Sequence, residues 1–205
     1  MSPPRRAAET TEALRASLID HARRLIARDG AAALTMRALA AEADCAVGLP
    51  YKVFNDRHDL VAQICHAEFQ RLGDVYDELA ARAGTATVGA NLAWFADLLL
   101  GSPAVALAHE VFADETLAKA VTARVHETGV GPAAFETVLA RYLAAEKSAG
   151  RVGPDIDEQA FGFVLAGAIH NLIMSGDAWP QPTRRQLKRT LDAIAAAIAP
   201  RPVTN

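Results

Sequence analysis

The sequence predicts an all-α chain of about nine to ten helices. Three observations predict it. Glycine and proline, 13 and 10 in 205 residues, are spaced so that they divide the chain into segments of helical length. Ala and Leu, strong helix formers, dominate between those breaks. No run rich in Val, Ile and Thr alternates with polar residues as a half-buried strand would.

The first helix is expected from Thr10 to Arg28. Leu14, Leu18, His21, Ala22, Leu25 and Ile26 fall on one face at helical spacing, and Asp29-Gly30 ends it, with Gly30 free to take positive φ. Residues 1–9, rich in proline and carrying Arg5 and Arg6, read as a flexible arm able to enter a minor groove. Thr35 is placed to cap a second helix, Met36 to Ala43, whose Leu39 and Ala40 face inward. Asp44 stands at the following turn, where a residue tolerant of left-handed backbone is wanted, and Cys45 is the buried plug behind it. A short third helix is expected from Val47 to Phe54. Pro50 lies in its first turn, and Ala46 offers no side-chain cap. A long helix then runs from Arg57 to Ala83, with Leu60, Ile64, Ala67, Phe69, Leu72, Val75, Tyr76 and Leu79 as its apolar stripe.

Six more helices fit Val88–Leu100, Pro103–Ala113, Glu115–Glu127, Pro132–Ala149, Asp155–Ser175 and Thr183–Ala199. Breaks at Gly101 to Pro103, Asp114, Gly129 to Pro132, Gly150 to Pro154 and Gly176 to Pro182 separate them. Pro103 and Pro132 suit a first helical turn, where the missing N–H costs nothing.

Thr35 to Leu60 carries the most information. Helix, tight turn, short helix and the start of a third is the shape of a helix-turn-helix, which lays one short helix into the major groove of DNA. The net charge of −3 argues weakly against a polyanion partner, but the charge is uneven. Residues 1–58 hold nine Lys/Arg and seven Asp/Glu; residues 59–205 hold twelve and seventeen. The N-terminal quarter is therefore the better partner for nucleic acid.

Other classes are disfavoured. No apolar run reaches the ~18 residues of a membrane span, and the N-terminus lacks an apolar signal core, so a cytoplasmic location is expected. Two cysteines, Cys45 and Cys65, give neither a disulfide framework nor zinc-ligand spacing. No nucleophile–base arrangement, phosphate loop or paired-carboxylate site is visible. Enzyme, metal and cofactor are accordingly not expected.

These residues resemble the TetR family of bacterial transcriptional regulators over residues 11 to 62. The carrying elements are the first helix ending at Gly30, Leu34-Thr35-Met36-Arg37-Ala38-Leu39-Ala40, Gly48, Tyr51-x-x-Phe54 and Arg57-x-Asp59-Leu60. The resemblance implies a helix-turn-helix DNA-binding domain at 1–56 and a ligand-binding and dimerisation domain at 57–205. It also implies a homodimer joined through its last two long helices. The chain departs from the family pattern at Ala46 (usually Ser or Thr), Asp44 (usually Gly) and Pro50 (usually Leu). The expected consequence is a short, locally distorted recognition helix.

The resemblance assigns phosphate contacts to Thr35, Tyr51 and Arg57, with Lys52 serving phosphate or base. Arg37 is the candidate to read guanine through O6 and N7. Ala46, Val47, Gly48 and Leu49 offer only close approach and apolar contact, for example with thymine methyls. Partners are therefore a near-palindromic double-stranded operator and a small-molecule effector.

The effector site is sought between 88 and 176, where aromatics mix with a few polar groups. The candidates are Trp94, Phe95, His109, Phe112, Phe135, Tyr142, Phe163, His170 and Asn171. His170-Asn171 interrupts AFGFVLAGAIHNLIM, a helix apolar on nearly every face, which must be buried on more than one side. Gly162, Ala166 and Gly167 would allow close helix approach. The last helix aligns Leu187, Leu191, Ile194 and Ile198, a stripe expected to join the 155–175 helix and its copies in a four-helix dimer bundle.

The expected function is that of a ligand-responsive regulator, a repressor released by its effector. An activator, an effector-independent regulator, an all-helical enzyme and an adaptor that does not bind DNA remain open alternatives.

Overall fold

The computed structural model describes residues 3–128, 132–175 and 181–201, with side chains over 10–126, 134–175 and 181–201. The expected breaks at 129–131 and 176–180 lie outside the described residues. All regular structure among the described residues is helical. The α-helices are α1 (Pro3–Asp29), α2 (Met36–Glu42), α3 (Arg57–Ala81), α4 (Val88–Leu100), α5 (Pro103–Ala113), α6 (Glu115–Thr128), α7 (Pro132–Ser148), α8 (Glu158–Met174) and α9 (Arg184–Ala197). Two 3₁₀ turns, Ala31–Ala33 and Pro50–Lys52, flank α2.

Two expectations at the N-terminus are corrected. The first helix begins at Pro3 and not at Thr10, so the backbone of the supposed arm is helical. Prolines at a first turn surrender only N–H groups that a helix leaves unpaired anyway. The expected third α-helix, 47–54, is a turn at 47–49 followed by the 3₁₀ turn Pro50–Lys52. Pro50 has no N–H for the Ala46 carbonyl, which instead accepts from Leu49 N–H at 2.8 Å.

The chain divides into two compact units. One combines Met1–Glu68 with Pro103–Thr128; the other combines Phe69–Ser102 with Gly129–Asn205. The division thus does not fall at residue 56: α5 and α6 associate with the N-terminal helices, and α3 supplies residues to both units.

In the first unit α1 packs on α2 and α5, and α5 on α6. Leu18, Ala22, Leu25 and Ile26 of α1 are buried, as are Leu34, Leu39, Ala40, Phe54, Leu60 and Ile64. The α1 face read from the sequence is thus the buried one.

In the second unit α7 packs on α8 and α4 on α9. Each pair is drawn close by a glycine. A Cβ on Gly162 of α8 would stand 2.9 Å from the backbone nitrogen of Ala140 on α7. A Cβ on Gly89 of α4 would stand 2.8 Å from the Cα of Asp192 on α9. The pairing of α9 corrects the expectation that it lies beside α8: its stripe of Leu187, Leu191, Ile194 and Ile198 joins the core of its own unit, facing α4.

Candidate nucleic-acid interface

Local hydrogen bonds build the helix-turn-helix. Thr35 has extended backbone, and its hydroxyl accepts the Ala38 N–H at 3.0 Å, capping α2 as its sequence position requires. At the other end Asp44 takes φ 48°. That left-handed residue lets Cys45 N–H reach the Ala40 carbonyl at 3.0 Å and Asp44 N–H reach Ala41 at 3.2 Å. This is a Schellman closure with aspartate in the usual glycine place. Cys45 is half-buried rather than the buried plug expected.

Beyond the turn the chain tightens. Lys52 N–H bonds the Leu49 carbonyl at 3.0 Å, and Val53 and Phe54 N–H both reach the Pro50 carbonyl. Pro50, Val53 and Phe54 are buried, which anchors the turn from beneath. Asp56 Oδ1 then accepts Asp59 N–H at 2.8 Å, and Asp59 Oδ2 accepts Asn55 N–H at 3.0 Å, starting α3.

This framework sorts the nominated residues. Thr35, Arg37, Ala46, Val47, Gly48, Tyr51 and Lys52 are exposed, and Leu49 is half-buried. Tyr51 and Val47 are among the few large apolar side chains that the chain leaves open, at 56% and 48% exposure. Gly48 has neither a positive φ nor any atom near the position of a Cβ, so nothing within the chain demands glycine there.

Electrostatics separates the cations. Arg15, Arg23, Arg24, Arg28, Arg57, Lys119 and Arg124 each face a carboxylate. Among the Lys and Arg residues of this unit whose side chains are described, Arg37 and Lys52 alone have no acidic partner. Arg57, given a phosphate role by resemblance, is turned inward. Its Nε donates to the Leu34 carbonyl at 2.7 Å, and Nη2 donates to Glu110 Oε2 at 2.9 Å.

Residues 18–64 match the family model for bacterial regulatory proteins of the tetR family. These residues thus form a DNA-binding domain of the TetR type. No curated protein matches the chain. Three solved structures share the fold along nearly its whole length. A TetR-family transcriptional regulator from Agrobacterium tumefaciens has TM-score 0.66 and 15% identity, over 92% of this chain and 99% of that one. The reduced form of E. coli NemR gives 0.62 and 13%, over 90% and 97%. Bacillus subtilis FadR, solved in complex with stearoyl-CoA, gives 0.54 and 16%, over 89% and 96%. The chain thus carries a helix-turn-helix DNA-binding domain of the kind found in tetR-family regulatory proteins. No single described helix is long and apolar enough to cross a membrane.

The nominated effector residues are divided between the two units. His109 and Phe112 lie on α5 in the first unit, both exposed, Phe112 at 62%. The others belong to the second unit. Phe95 and Tyr142 are wholly buried. Phe95 stacks at a tilt on Tyr76 (ring centres 5.9 Å apart) and on Phe135 (5.7 Å), making core contacts. The Arg82 guanidinium covers the Trp94 ring at 3.9 Å. Burial pushes the Tyr76 hydroxyl up to about 12.

Phe163, His170 and Asn171 are exposed on α8. Within the single chain the helix is therefore buried on one side only. Gly162, Leu165, Ala166 and Ile169 face inward, while Phe163, Val164, Gly167, Ala168, His170 and Asn171 form an open face. Gly162 makes the close approach expected of it, to Ala140, but Gly167 has no neighbour. Two depressions of this unit are lined instead by α4 and α9, one by Ala93, Asp97, Arg184, Arg185, Leu187 and Lys188. The other includes Arg151 and Asp192. Among the described residues no group of His, Cys, Asp and Glu is placed to hold a metal.

Proposed function

We propose that the chain is a homodimeric, ligand-responsive repressor that binds a near-palindromic operator. The observation that carries this reading is that Arg37 and Lys52 are, among the first unit's Lys and Arg residues with described side chains, the two without a carboxylate. They flank an exposed turn bearing Val47, Gly48 and Tyr51. Unpaired cations beside open backbone suit a polyanion, because no internal partner must be displaced.

In this reading Lys52, Tyr51 and Thr35 contact phosphates and fix register, and Arg37 reads a base edge. Gly48 admits the close approach that a side chain would block, while Ala46, Val47 and Leu49 supply apolar contact. The open face of α8 meets its copy across a two-fold axis. The pair of turns then addresses successive major grooves about 34–36 Å apart. A small molecule bound between residues 88 and 176 favours a dimer with the wrong spacing, so DNA and effector weaken each other's binding.

The test is a titration of the full chain against its own upstream DNA at several salt concentrations. Arg37→Ala and Lys52→Ala are measured beside the unaltered chain. The reading expects operator binding tighter than to random DNA, with Lys52→Ala lowering the salt slope by about one. Arg37→Ala should cost about 1–3 kcal/mol, mostly in sequence preference. Equal affinity for operator and random DNA, unaltered by either substitution, would sink it.

A further inference from the structure

Three consecutive residues at the start of α3 each face a partner on α5, on α6 or at Asp114 between them. Arg57 pairs with Glu110 through both Nη atoms, and its Nη2–Oε2 distance is 2.9 Å. His58 Nε2 lies 3.4 Å from Asp114 Oδ2. Asp59 Oδ1 accepts from Arg124 Nη2 at 2.9 Å and from Gln63 Nε2 at 2.9 Å. The partners are themselves fixed: Asp114 Oδ1 caps α6 by accepting Leu117 N–H at 3.0 Å, and the Arg124 carbonyl lies 2.9 Å from His66 Nδ1.

Arg57 alone of the three also bonds the segment before α2. Its Nε donates to the Leu34 carbonyl, one residue before the Thr35 cap of α2. The same guanidinium therefore grips the entry to α2 and, through its own backbone, the exit from the recognition turn. Glu110 holds the guanidinium in place for both. A guanidinium paired bidentately with a carboxylate has little charge left for phosphate, and a phosphate would have to displace Glu110.

We propose that Arg57 is a positioning residue for DNA binding: held by Glu110, it sets the recognition turn against α2 and does not itself bind phosphate. This deepens the repressor reading and rests on it.

The experiment compares Arg57→Gln, Arg57→Lys, Glu110→Gln and the Arg57→Gln/Glu110→Gln double variant with the unaltered chain. The readouts are operator affinity across a salt series and amide hydrogen exchange over residues 46–56 without DNA. Loss of a charge-assisted hydrogen bond sets the scale, about tenfold in affinity. Arg57→Gln and Glu110→Gln should each weaken binding by that factor with the salt slope unchanged. The double variant should be no worse than either single one. Arg57→Lys should not rescue, because an ammonium lacks the planar fork that serves Leu34 and Glu110 together. Exchange over 46–56 should quicken in all four variants.

The proposal is overturned if Arg57→Gln lowers the salt slope by about one while Glu110→Gln binds as tightly as the unaltered chain or more so. Rescue by Arg57→Lys also overturns it. An unaltered chain that binds no DNA specifically refutes the repressor reading instead. Exchange then decides the positioning role alone: quickening supports it, and unchanged exchange refutes it.

Discussion

Both oxygens of the Glu146 carboxylate meet the guanidinium of Arg151, and Glu146 is wholly buried. Arg151 Nη1 also donates to the Thr85 and Ala86 carbonyls, and Glu146 accepts Gly84 N–H at 3.1 Å. One ion pair thus ties the α3–α4 loop to the end of α7. Burial opposes ionisation of Glu146 most strongly. Arg151, the Tyr142 hydroxyl and Gly84 outweigh it and hold the carboxyl below the usual range.

A depressed carboxylate stabilises the fold above its unfolded-state pKa, about 4.3, and loses that contribution as pH falls through the lower folded value. Glu146→Gln should therefore be destabilised near neutral pH, on the order of 3 kcal/mol, because Arg151 is left without its counter-charge. The gap between variant and unaltered chain should narrow as pH falls below about 4. Denaturant unfolding at pH 7 and pH 3 measures both; a gap that stays constant would refute the assignment.

Gly162 and Gly167 lie on the same helix and should respond oppositely. Alanine at Gly162 would collide with the Ala140 backbone, so Gly162→Ala should cost about 1–3 kcal/mol. Alanine at Gly167 meets nothing, so Gly167→Ala should firm α8 by up to about 1 kcal/mol. Thermal unfolding of the two variants should bracket the unaltered chain; equal melting temperatures would contradict the packing of α8 on α7.

If the open face of α8 is the meeting surface of two copies, a charge there must separate them. Phe163 and Val164 stand 65% and 56% exposed. Phe163→Asp should convert a dimer to a monomer in sedimentation equilibrium while helix content is retained. A variant that stays dimeric would place the contact elsewhere.

Gly48→Ala separates folding from DNA binding. With no positive φ and an empty surround, alanine should stabilise the fold by about 0.4–1 kcal/mol through the unfolded chain. Operator affinity should nevertheless fall, because the open approach is lost. A Gly48→Ala variant that binds DNA as tightly as the unaltered chain would show that nothing comes close at this turn.

The two cysteines should differ chemically. Burial first, then the charges of Glu68 and Glu110, push the Cys65 thiol up to about 12. Almost no thiolate exists there at pH 8. An alkylating reagent should therefore modify half-buried Cys45 and spare Cys65 until the chain unfolds. Mass spectrometry of peptides from the folded chain checks this; early labelling of Cys65 would contradict its burial.

Local chemistry was legible at the helix-turn-helix. The Thr35 cap, the left-handed Asp44 and the return of Phe54 to the core each depend on neighbours within a few residues. Where two local rules competed, the outcome was not legible. At 47–54 the proline could serve as an α-helical first turn or force a tighter one. The missing N–H opposite Ala46 decided for 3₁₀ geometry.

The effector candidates illustrate another limit. Trp94, Phe95, Phe135 and Tyr142 have the composition of a ligand site, yet Phe95 and Tyr142 are core. His170 and Asn171 read as polar groups inside an apolar helix but lie on its open face. Composition does not say which way a residue points when a helix is apolar nearly all round.

Apart from 47–54, the sequence by itself determined the helices, their order and most of their ends, because caps, glycines and prolines act over a single turn. It determined too that Gly48, Tyr51 and Lys52 fall within one short segment after the turn. Tertiary structure alone decided that α9 packs on α4, that Arg57 is spent on Leu34 and Glu110, and that α5 and α6 join the N-terminal unit. These are choices among partners distant in sequence. An amphipathic stripe or a lone arginine announces that it needs a partner, but only the packed chain selects which one.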